Sequence, residues 1–328
     1  MGARNILVTV PFFDNQSKSY LESNGCTVRL AKPDGNATRE QLVELLAGCQ
    51  GWIVGHAWVT REILAAHPDL LVIARRGVGY ERVDVAAAEK LGKVVTIAAG
   101  GNAPSVADHT VGLMLASGRR FHESQAQMAD GDWSILVGTE LFQKTVGLIG
   151  FGSIARQVSQ RLAGFDVNVL AYAPRPDLSE GIRLGVSFVD LSTLLRQSDY
   201  VSLHSPLTNE TRNLIDENAL RQMKPTSILL NTSRGGLIDE VALLKALKHK
   251  SIRGAALDVF HGEIDPAFKS VADELLALPN FVATPHAAGS TDEALARSNL
   301  LAARSIIAVF DGTSPSSNCI VTDGRANR

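Results

Sequence analysis

The sequence predicts an α/β protein built from two doubly wound parallel-sheet domains, and three observations support this. The chain has 328 residues, which exceeds the usual size of one domain. Short apolar runs rich in β-branched residues alternate with helical stretches along almost all of it, as βαβ units require. A glycine-rich turn, Gly150-Phe151-Gly152, also joins one of these runs to an amphipathic helix.

The predicted strands fall into two sets, separated by a long apolar helix. The first set covers residues 6–10, 27–31, 52–55, 71–74 and 94–97. The second set covers residues 146–149, 167–172, 200–203, 228–231, 255–258 and 281–284. Apolar spacing predicts buried helices over residues 105–120 and 291–310. The Ser-, Gly- and Asn-rich tail after residue 310 is predicted to be partly disordered at its end.

Composition argues against several classes of partner. The formal net charge of -2 gives no electrostatic reason to expect binding to nucleic acid or to an anionic membrane. No run approaches 18 apolar residues, and the first apolar run is too short for a secretory signal. Cys26, Cys49 and Cys319 form no CxxC or Cys/His cluster, so neither a disulfide framework nor a metal site is expected. A reducing cytoplasm fits these features best.

The glycine-rich turn predicts a phosphate-binding loop. Gly150 permits a tight turn, Gly152 lets a pyrophosphate approach the backbone, and Ala155 allows close packing of the helix. The start of that helix offers free N–H groups to an anion. A glycine turn that serves packing alone is the competing interpretation.

Three polar side chains follow successive predicted strands. Arg234, Glu263 and His286 lie just after the strands that end near residues 231, 258 and 284. The carboxyl ends of parallel strands meet at one sheet edge, where ligands of such folds bind, so the three can converge. Taken singly, each could be a surface arginine, a solvated loop acid and a packed turn histidine. Their shared edge favours a reactive site.

Several segments together resemble one known family. They are "ARRGVGYERVDVAAAEKLG", "NAPSVADHTVGLML", "GTELFQKTVGLIGFGSIA", "LHSPLTNETRNLID", "LLNTSRGGLIDEVALLKAL", "GAALDVF" and "TPHAAGST". The chain is identified from them as similar to the D-isomer-specific 2-hydroxyacid dehydrogenases, including the phosphoglycerate dehydrogenase-like branch. The resemblance covers nearly the whole chain and preserves the order of the family's Arg, Glu and His.

The resemblance implies a domain arrangement, a cofactor and an assembly. A flavodoxin-like substrate domain would comprise residues 1–99 and 287–328, with a Rossmann NAD(P)-binding domain, residues 100–286, inserted into it. The enzyme would transfer a hydride between NAD(P)H and a small 2-oxo or 2-hydroxy acid in a cleft. It would form a homodimer, because the family's helix corresponding to residues 105–120 packs across a two-fold axis.

The same resemblance gives roles to the three polar residues. His286 would be the general acid and base, Glu263 would hold its imidazole, and Arg234 would clamp the substrate carboxylate and carbonyl. The predicted cofactor-binding residues are Gly150, Gly152, Ser153, Ile154, Ala173, Arg175, His204, Pro206, Thr232 and Asp258. The predicted substrate-binding residues are Val78, Gly79, Asn102, Arg234 and His286. Asp258 could instead cap a loop, Asn102 could cap its helix, and the turn containing Gly79 could serve packing alone.

The segment "VNVLAYAPRPD", residues 167–177, bears on cofactor choice. Dinucleotide units usually carry an acid at the end of this strand to hold the ribose 2'-hydroxyl, but here Ala173 stands there. Arg175 follows two residues later and could bind the extra phosphate of NADP, so NADP is predicted in preference to NAD. The alternatives are that Arg175 points into solvent or that Asp177 serves the ribose.

Several substrates and more than one class of function are candidates. Gly55-His56-Ala57 stands where phosphoglycerate dehydrogenases commonly place an arginine, so an unphosphorylated acid such as glyoxylate or hydroxypyruvate is expected. A non-catalytic, corepressor-like dinucleotide sensor is one alternative, although such a role would tolerate loss of the three polar residues. Oxidation of a different small anion, such as formate or phosphite, is another.

Overall fold

A computed structural model describes residues 4–31, 37–263 and 265–327, and the chain divides into two compact units. Unit 1 consists of Met1–Asn102 and Ser290–Arg328, and unit 2 consists of Ala103–Gly289. The predicted domain boundaries, after residues 99 and 286, lie slightly before these points. The chain therefore leaves unit 1 once and returns to it after completing unit 2.

The first segment of unit 1 alternates strands with helices. Its strands are β1 (Asn5–Val8), β2 (Thr27–Leu30), β3 (Gly51–Val54), β4 (Val72–Arg75) and β5 (Val94–Ile97). Its helices are α1 (Asn15–Ser23), α2 (Arg39–Leu46), α3 (Arg61–Ala66) and α4 (Val85–Lys90). The strands pair in parallel in the order β2-β1-β3-β4-β5, which is the flavodoxin-like doubly wound order.

Unit 2 begins with α5 (Ala103–Gly118) and α6 (Phe121–Ala129) and then alternates strands with helices. Its strands are β6 (Thr145–Ile149), β7 (Asn168–Tyr172), β8 (Val186–Phe188), β9 (Tyr200–Leu203), β10 (Ile228–Asn231), β11 (Gly254–Leu257) and β12 (Phe281–Ala283). Its later helices are α7 (Ser153–Leu162), α8 (Leu178–Leu184), α9 (Leu191–Gln197), α10 (Glu217–Gln222), α11 (Glu240–Lys248) and α12 (Lys269–Leu276). The parallel order β8-β7-β6-β9-β10-β11-β12 is that of a Rossmann sheet extended by one strand.

The chain then returns to unit 1 through α13 (Asp292–Phe310) and β13 (Ile320–Asp323). Strand β13 pairs antiparallel with β5, so the prediction of a partly disordered tail is wrong for the part of the tail that the structure describes. The tail is held by tertiary contacts that its composition does not indicate. Cys319 is buried, the Gly324 N–H donates to the Lys93 carbonyl at 3.0 Å, and Arg325 donates to the Thr313 carbonyl at 2.8 Å. The short edge strand β8 was also not predicted.

Both faces of the unit 2 sheet are buried, which explains why its strands are continuous apolar runs rather than alternating ones. One face, including Ile149 and Leu203, packs on α9, α10, α11 and α12. The other face, including Leu148 and Leu230, packs on α5 and α7. The sheet is therefore a rigid support, and its loops are positioned by the strand register.

Candidate active site

The strand register places five loops of unit 2 along one sheet edge. Ile149 lies beside Leu203, Leu203 beside Asn231, Asn231 beside Leu257, and Leu257 beside Ala283. These residues are the last of β6, β9, β10, β11 and β12. The loops that follow them carry the glycine-rich turn and most of the predicted site residues. The sheet thus assembles side chains that are far apart in sequence.

Glu263 and His286 form the central pair of this edge. The His286 Nδ1 atom lies 2.7 Å from Glu263 Oε2, and the other carboxylate oxygen accepts the Phe260 N–H at 2.6 Å. The side chains are 51% and 37% exposed, so the pair is open to a ligand. Because Glu263 occupies Nδ1, the Nε2 atom is the ring nitrogen left to face a substrate.

The electrostatics of the pair favour an imidazolium. The hydrogen bond with Glu263 raises the pKa of His286 above its ordinary value, against the effects of burial and the Arg234 charge. Burial acts to raise the pKa of Glu263, but hydrogen bonds from His286 and the Phe260 N–H outweigh it and hold that pKa low. His286 is therefore protonated over a wider pH range than a free histidine.

The backbone of His286 adopts an unusual conformation that the loop around it maintains. Its φ is +53°, in the left-handed region that is uncommon for residues other than glycine. The His286 N–H donates to the Asp258 carbonyl at 2.8 Å. The Asp258 carboxylate, almost fully buried, accepts the N–H groups of Ala287 at 2.8 Å and Ala288 at 3.0 Å. Asp258 therefore caps the histidine loop, the second of the two roles considered for it, and its contact with a cofactor stays a prediction.

A second buried acid supports the loop of Glu263. Glu240, the first residue of α11, is 2% exposed and accepts the His261 N–H at 2.7 Å. Its other carboxylate oxygen is buried without a partner among the described residues, and burial raises its pKa. Glu263 and His286 thus each lie in a loop whose backbone N–H groups donate to a buried carboxylate. The sequence gives little signal for Glu240 beyond its place two residues after a buried apolar pair.

Arg234 is presented by a loop that Asn231 shapes. The Asn231 side chain is buried, donates to the Arg234 carbonyl at 2.8 Å and accepts the Ser233 N–H at 2.9 Å. At Gly235 any Cβ would collide with the carbonyl oxygen of Phe260, so glycine is required where the arginine loop meets the glutamate loop. The Arg234 charge acts to lower the pKa values of both His286 and Glu263.

The turn after β6 has the geometry of a dinucleotide cradle. Gly150 has φ +95°, and a Cβ there would meet the His204 carbonyl oxygen at 2.6 Å. Gly152, in contrast, borders open space: a Cβ there would meet no described atom within 4 Å, which leaves room for a pyrophosphate. Ser153 and Ile154 begin α7, and the buried Ala155 packs against the sheet side of the helix. These residues fit the group that the sequence predicts.

The start of α7 differs from the starts of its neighbours. Helices α8, α9, α10 and α11 are each preceded by an N-cap aspartate whose carboxylate accepts a first-turn N–H. Helix α7 instead has Gly152 as its N-cap residue, and no described side chain caps it. Its first N–H groups are therefore left for a ligand, and the helix dipole favours an anion there.

The end of β7 exposes the residues that bear on cofactor choice. Arg175 is exposed and has no ion pair among the described residues, while Ala173 is half-buried. Asp177 is committed elsewhere: it pairs with Arg156 at 3.0 Å and accepts the Glu180 N–H at 3.2 Å as the cap of α8. The alternative in which Asp177 serves the ribose therefore has no support in this arrangement.

Three further predicted cofactor residues lie in the loops after β9 and β10. The His204 ring contacts Ser202 Oγ at 3.0 Å, and its Nδ1 atom is buried without a partner among the described residues. Burial lowers the pKa of His204 to about 4, so the ring is neutral and offers no charge to a phosphate. Pro206 is exposed, and Thr232 is buried with its hydroxyl 2.9 Å from that of Thr110. Their contacts with a cofactor stay predictions.

The remaining predicted substrate residues belong to unit 1. Val78 and Gly79 lie in the half-buried loop after β4, where the buried Arg75 donates to the Gly79 carbonyl at 2.9 Å. Asn102 directly precedes α5, at the end of the first segment of unit 1. Roles for these three residues in substrate binding stay predictions.

The described residues contain neither a metal-binding cluster nor a membrane-spanning helix. No cluster of three or more His, Cys, Asp or Glu side chains is arranged to hold a metal ion within residues 4–31, 37–263 and 265–327. Over the same residues, no helix combines the length and the apolar character needed to cross a bilayer.

The fold and the site define a dinucleotide-dependent oxidoreductase, and comparison with known proteins identifies the family. Residues 111–288 match the domain described as D-isomer specific 2-hydroxyacid dehydrogenase, NAD binding domain. The chain belongs to the D-isomer specific 2-hydroxyacid dehydrogenases, NAD-dependent enzymes that act on the CH–OH group of their donors. The fold class and the family predicted from the sequence are confirmed.

Relatives of known name agree with this assignment. The chain is 39% identical over 262 residues to a hydroxypyruvate reductase of Thermotoga maritima, covering 79% of this chain and 84% of that one. It is 36% identical over 310 residues to a D-3-phosphoglycerate dehydrogenase of Archaeoglobus fulgidus, covering 94% of this chain but only 57% of that one. The apo structure of D-lactate dehydrogenase from Escherichia coli superposes with a TM-score of 0.82 at 30% identity, covering 97% of this chain and all of the other. These matches give no support to the corepressor-like alternative.

The hydrogen bond between Glu263 and His286 predicts a measurable titration. In Glu263→Gln the negative charge is lost, so the pKa of His286 is expected to fall toward 6.5. NMR titration of the histidine Cε1–H signals, with His286→Gln to identify the resonance, measures this. Asp273→Asn, a charge loss at an exposed position on α12, is the control. An unchanged or higher pKa in Glu263→Gln would contradict the role of this pair.

Proposed function

We propose that this chain is a reductase of small, unphosphorylated 2-oxo acids that uses NADPH in preference to NADH. The observation that carries the proposal is the Glu263–His286 pair, with Nδ1 and Oε2 2.7 Å apart on the sheet edge that also bears Arg234 and the dinucleotide cradle. Glyoxylate, hydroxypyruvate and bulkier 2-oxo acids have the chemistry that such a set of side chains recognises.

His286 acts as the general acid in the direction of reduction. Its Nε2 proton passes to the substrate carbonyl oxygen as C2 is reduced, and the imidazole takes a proton back in the reverse direction. Glu263 holds the ring through Nδ1 and stabilises the imidazolium. Because the pKa of His286 is raised, reduction is fastest below that pKa and declines as the pH rises through it.

Arg234 binds and orients the substrate. Its planar guanidinium matches the carboxylate and adjacent carbonyl oxygen of a 2-oxo acid, and it keeps its charge at all relevant pH values. The loop that Asn231 and Gly235 shape carries Arg234 at the same sheet edge as His286, so Arg234 is proposed to bind the carboxylate while His286 reaches the carbonyl. The bound nicotinamide supplies the hydride.

A phosphorylated substrate is the second candidate, and one observation favours it. The turn Gly55-His56-Ala57 lacks the arginine of phosphoglycerate dehydrogenases, but Arg82 donates to the His56 carbonyl at 2.7 Å and lies over the Trp58 ring. Arg82 therefore places a positive charge beside this turn. The substrate test consequently pairs hydroxypyruvate with its 3-phosphorylated form.

Steady-state kinetics test the substrate class and the residue roles. Purified protein is expected to oxidise NADPH with glyoxylate or hydroxypyruvate and to use 3-phosphohydroxypyruvate less well, as measured by loss of absorbance at the nicotinamide band. His286→Gln should lower kcat by roughly 10²- to 10⁴-fold, the usual worth of positioned proton transfer. Arg234→Ala should lower kcat/KM by about a hundredfold or more, because charge-assisted hydrogen bonds to the carboxylate are lost.

Controls separate these roles. Cofactor affinity, measured by nicotinamide fluorescence, should change little in either variant. Wild-type kcat/KM in both would remove the two residues from the mechanism. A clear preference for the phosphorylated acid would favour the second candidate instead.

Kinetics with the two reduced cofactors test the cofactor choice. With no acid at Ala173, nothing at that position repels the 2'-phosphate of NADPH, and the exposed Arg175 can bind it. One charge-assisted hydrogen bond contributes about 1.5 to 3 kcal/mol, so a preference of about tenfold to a hundredfold for NADPH is expected in kcat/KM. Arg175→Ala should reduce that preference, and Ala173→Asp should reverse it. Equal use of both cofactors by wild type, or a preference that Arg175→Ala leaves intact, would refute the idea.

A homodimer is proposed from the exposed apolar side chains that follow α5. Most apolar residues of α5 itself are buried within unit 2, whereas residues 121–142 carry several exposed apolar side chains. The exposed apolar residues of this stretch are Phe121, Met128, Trp133, Ile135, Val137 and Phe142. Apolar patches of this kind mark association surfaces, and two-fold pairing is the commonest outcome.

The free, buried thiols of Cys26, Cys49 and Cys319 are compatible with the reducing cytoplasm proposed for the protein.

Sedimentation tests the homodimer. Wild type at micromolar concentration should sediment as a species of twice the 35.0 kDa chain mass. Ile135→Asp places a charge at a 92% exposed position of the stretch and should shift the protein to monomer. Ile182→Asp, at an 83% exposed position on α8, is the matched control and should leave the mass unchanged. A 35 kDa wild-type species would refute the homodimer.

A further inference from the structure

A second histidine lies behind the catalytic loop, connected to it through a threonine. His109, in the middle of α5, has Nε2 2.9 Å from the hydroxyl of Thr284. That hydroxyl in turn donates to Asp258 Oδ1 at 2.5 Å, while His109 Nε2 is 3.7 Å from the same oxygen. His109 is only 25% exposed, and Asp258 is almost fully buried. None of the roles given above uses His109 or Thr284.

The directions of these hydrogen bonds follow from the chemistry of the groups. An ionised carboxylate only accepts hydrogen bonds, so the single proton of the Thr284 hydroxyl points to Asp258. The hydroxyl must then accept from His109, which requires a proton on Nε2. Both the neutral Nε2–H tautomer and the imidazolium meet this requirement, so His109 works as a donor whatever its charge.

The chain of hydrogen bonds ends at the backbone of the general acid. Asp258 Oδ1 accepts from Thr284 and from the Ala287 N–H, and Oδ2 accepts from the Ala288 N–H. Two successive N–H groups held by one carboxylate fix the turn directly after His286. That turn keeps His286 at its positive φ and so aims the ring at Glu263.

We propose that His109 is a positioning residue for the reaction, acting through Thr284 and Asp258 to hold the turn that presents His286. The inference rests on the proposed role of His286 as general acid. Without the His109 donor, the Thr284 hydroxyl is free to rotate, Asp258 loses its fixed orientation, and the His286 turn relaxes toward an ordinary conformation. The His286 ring is then hydrogen-bonded to Glu263 for a smaller fraction of the time.

Other groups around His286 define what the test must separate. The charged groups that act on its ring are Glu263, Asp258 and Arg234. A change of charge at His109 could also act on the ring through space. Replacing His109 by Gln removes any charge but keeps an N–H donor at similar reach, whereas Leu removes both. The two variants therefore separate hydrogen bonding from charge.

The experiment combines kinetics with NMR of the protein free of ligands. His109→Leu is expected to lower kcat by about tenfold, because misplacement of a catalytic group by a fraction of an ångström has effects of this order. KM for the 2-oxo acid and cofactor affinity should stay near wild type. The His286 titration should move to lower pH in this variant, since the bond to Glu263 is weakened. His109→Gln should restore both readouts, and His249→Leu, at an exposed position after α11, should alter neither.

Thr284→Val breaks the same chain one link further on and keeps the side-chain shape. It should reproduce the effect of His109→Leu, and it decides the question if His109→Leu does not fold. The proposal is overturned if Gln and Leu at 109 behave alike, or if kcat falls while the His286 titration stays in place. Absence of turnover by wild type with every 2-oxo acid would sink the proposed function, while the NMR titrations would still decide the positioning role.

Discussion

In unit 2, hydrogen bonds between parallel strands align the last residues of β6, β9, β10, β11 and β12, and every proposed catalytic group depends on this register. A strand that slipped by one residue would turn its buried side chains to the opposite face and move its loop out of line. The two-sided apolar core penalises such a slip, because both faces of the sheet are packed against helices. The core therefore determines the geometry of the site, although Arg234, Glu263 and His286 lie outside it.

The exposed pair Glu263–His286 depends on polar groups that are buried. An isolated pair at this exposure would contribute little to its own positioning, since solvent competes for both side chains. Asp258 and Glu240 supply the missing rigidity by accepting backbone N–H groups of the two loops. Buried carboxylates are costly unless they are hydrogen-bonded, and the bonds that Asp258 and one oxygen of Glu240 accept come from the loops that must stay in place. The hydrogen bonds that offset the cost of burying these two acids therefore also fix the positions of the two loops.

At the start of α7 and at the end of β7, the absence of an acidic side chain leaves a surface that can bind an anion. Gly152 leaves α7 without the aspartate cap that α8, α9, α10 and α11 have, so the helix end is available to an anion. At the end of β7, Ala173 leaves an uncharged position beside the exposed Arg175. Asp177, the nearest acid in sequence, is held by Arg156 and by its cap of α8. The electrostatic field at the end of β7 therefore depends on the absence of an acid at Ala173 and on the contacts that engage Asp177.

The sequence by itself determined the alternation of strands and helices, the glycine-rich turn and the candidates Arg234, Glu263 and His286, because these depend on local periodicity and on which residues follow a strand. Only the tertiary structure decided that the described part of the tail pairs as β13. It also decided which side chains support the site, namely His109, Thr284, Asn231 and Glu240. Burial and hydrogen-bond partners across the sheet give these residues their roles, and neither can be read from neighbours in sequence. Asp258 lies between the two cases: its position after β11 was evident from the sequence, but its use as a loop cap follows from the N–H groups of Ala287 and Ala288, which the fold brings to it from 29 and 30 residues away.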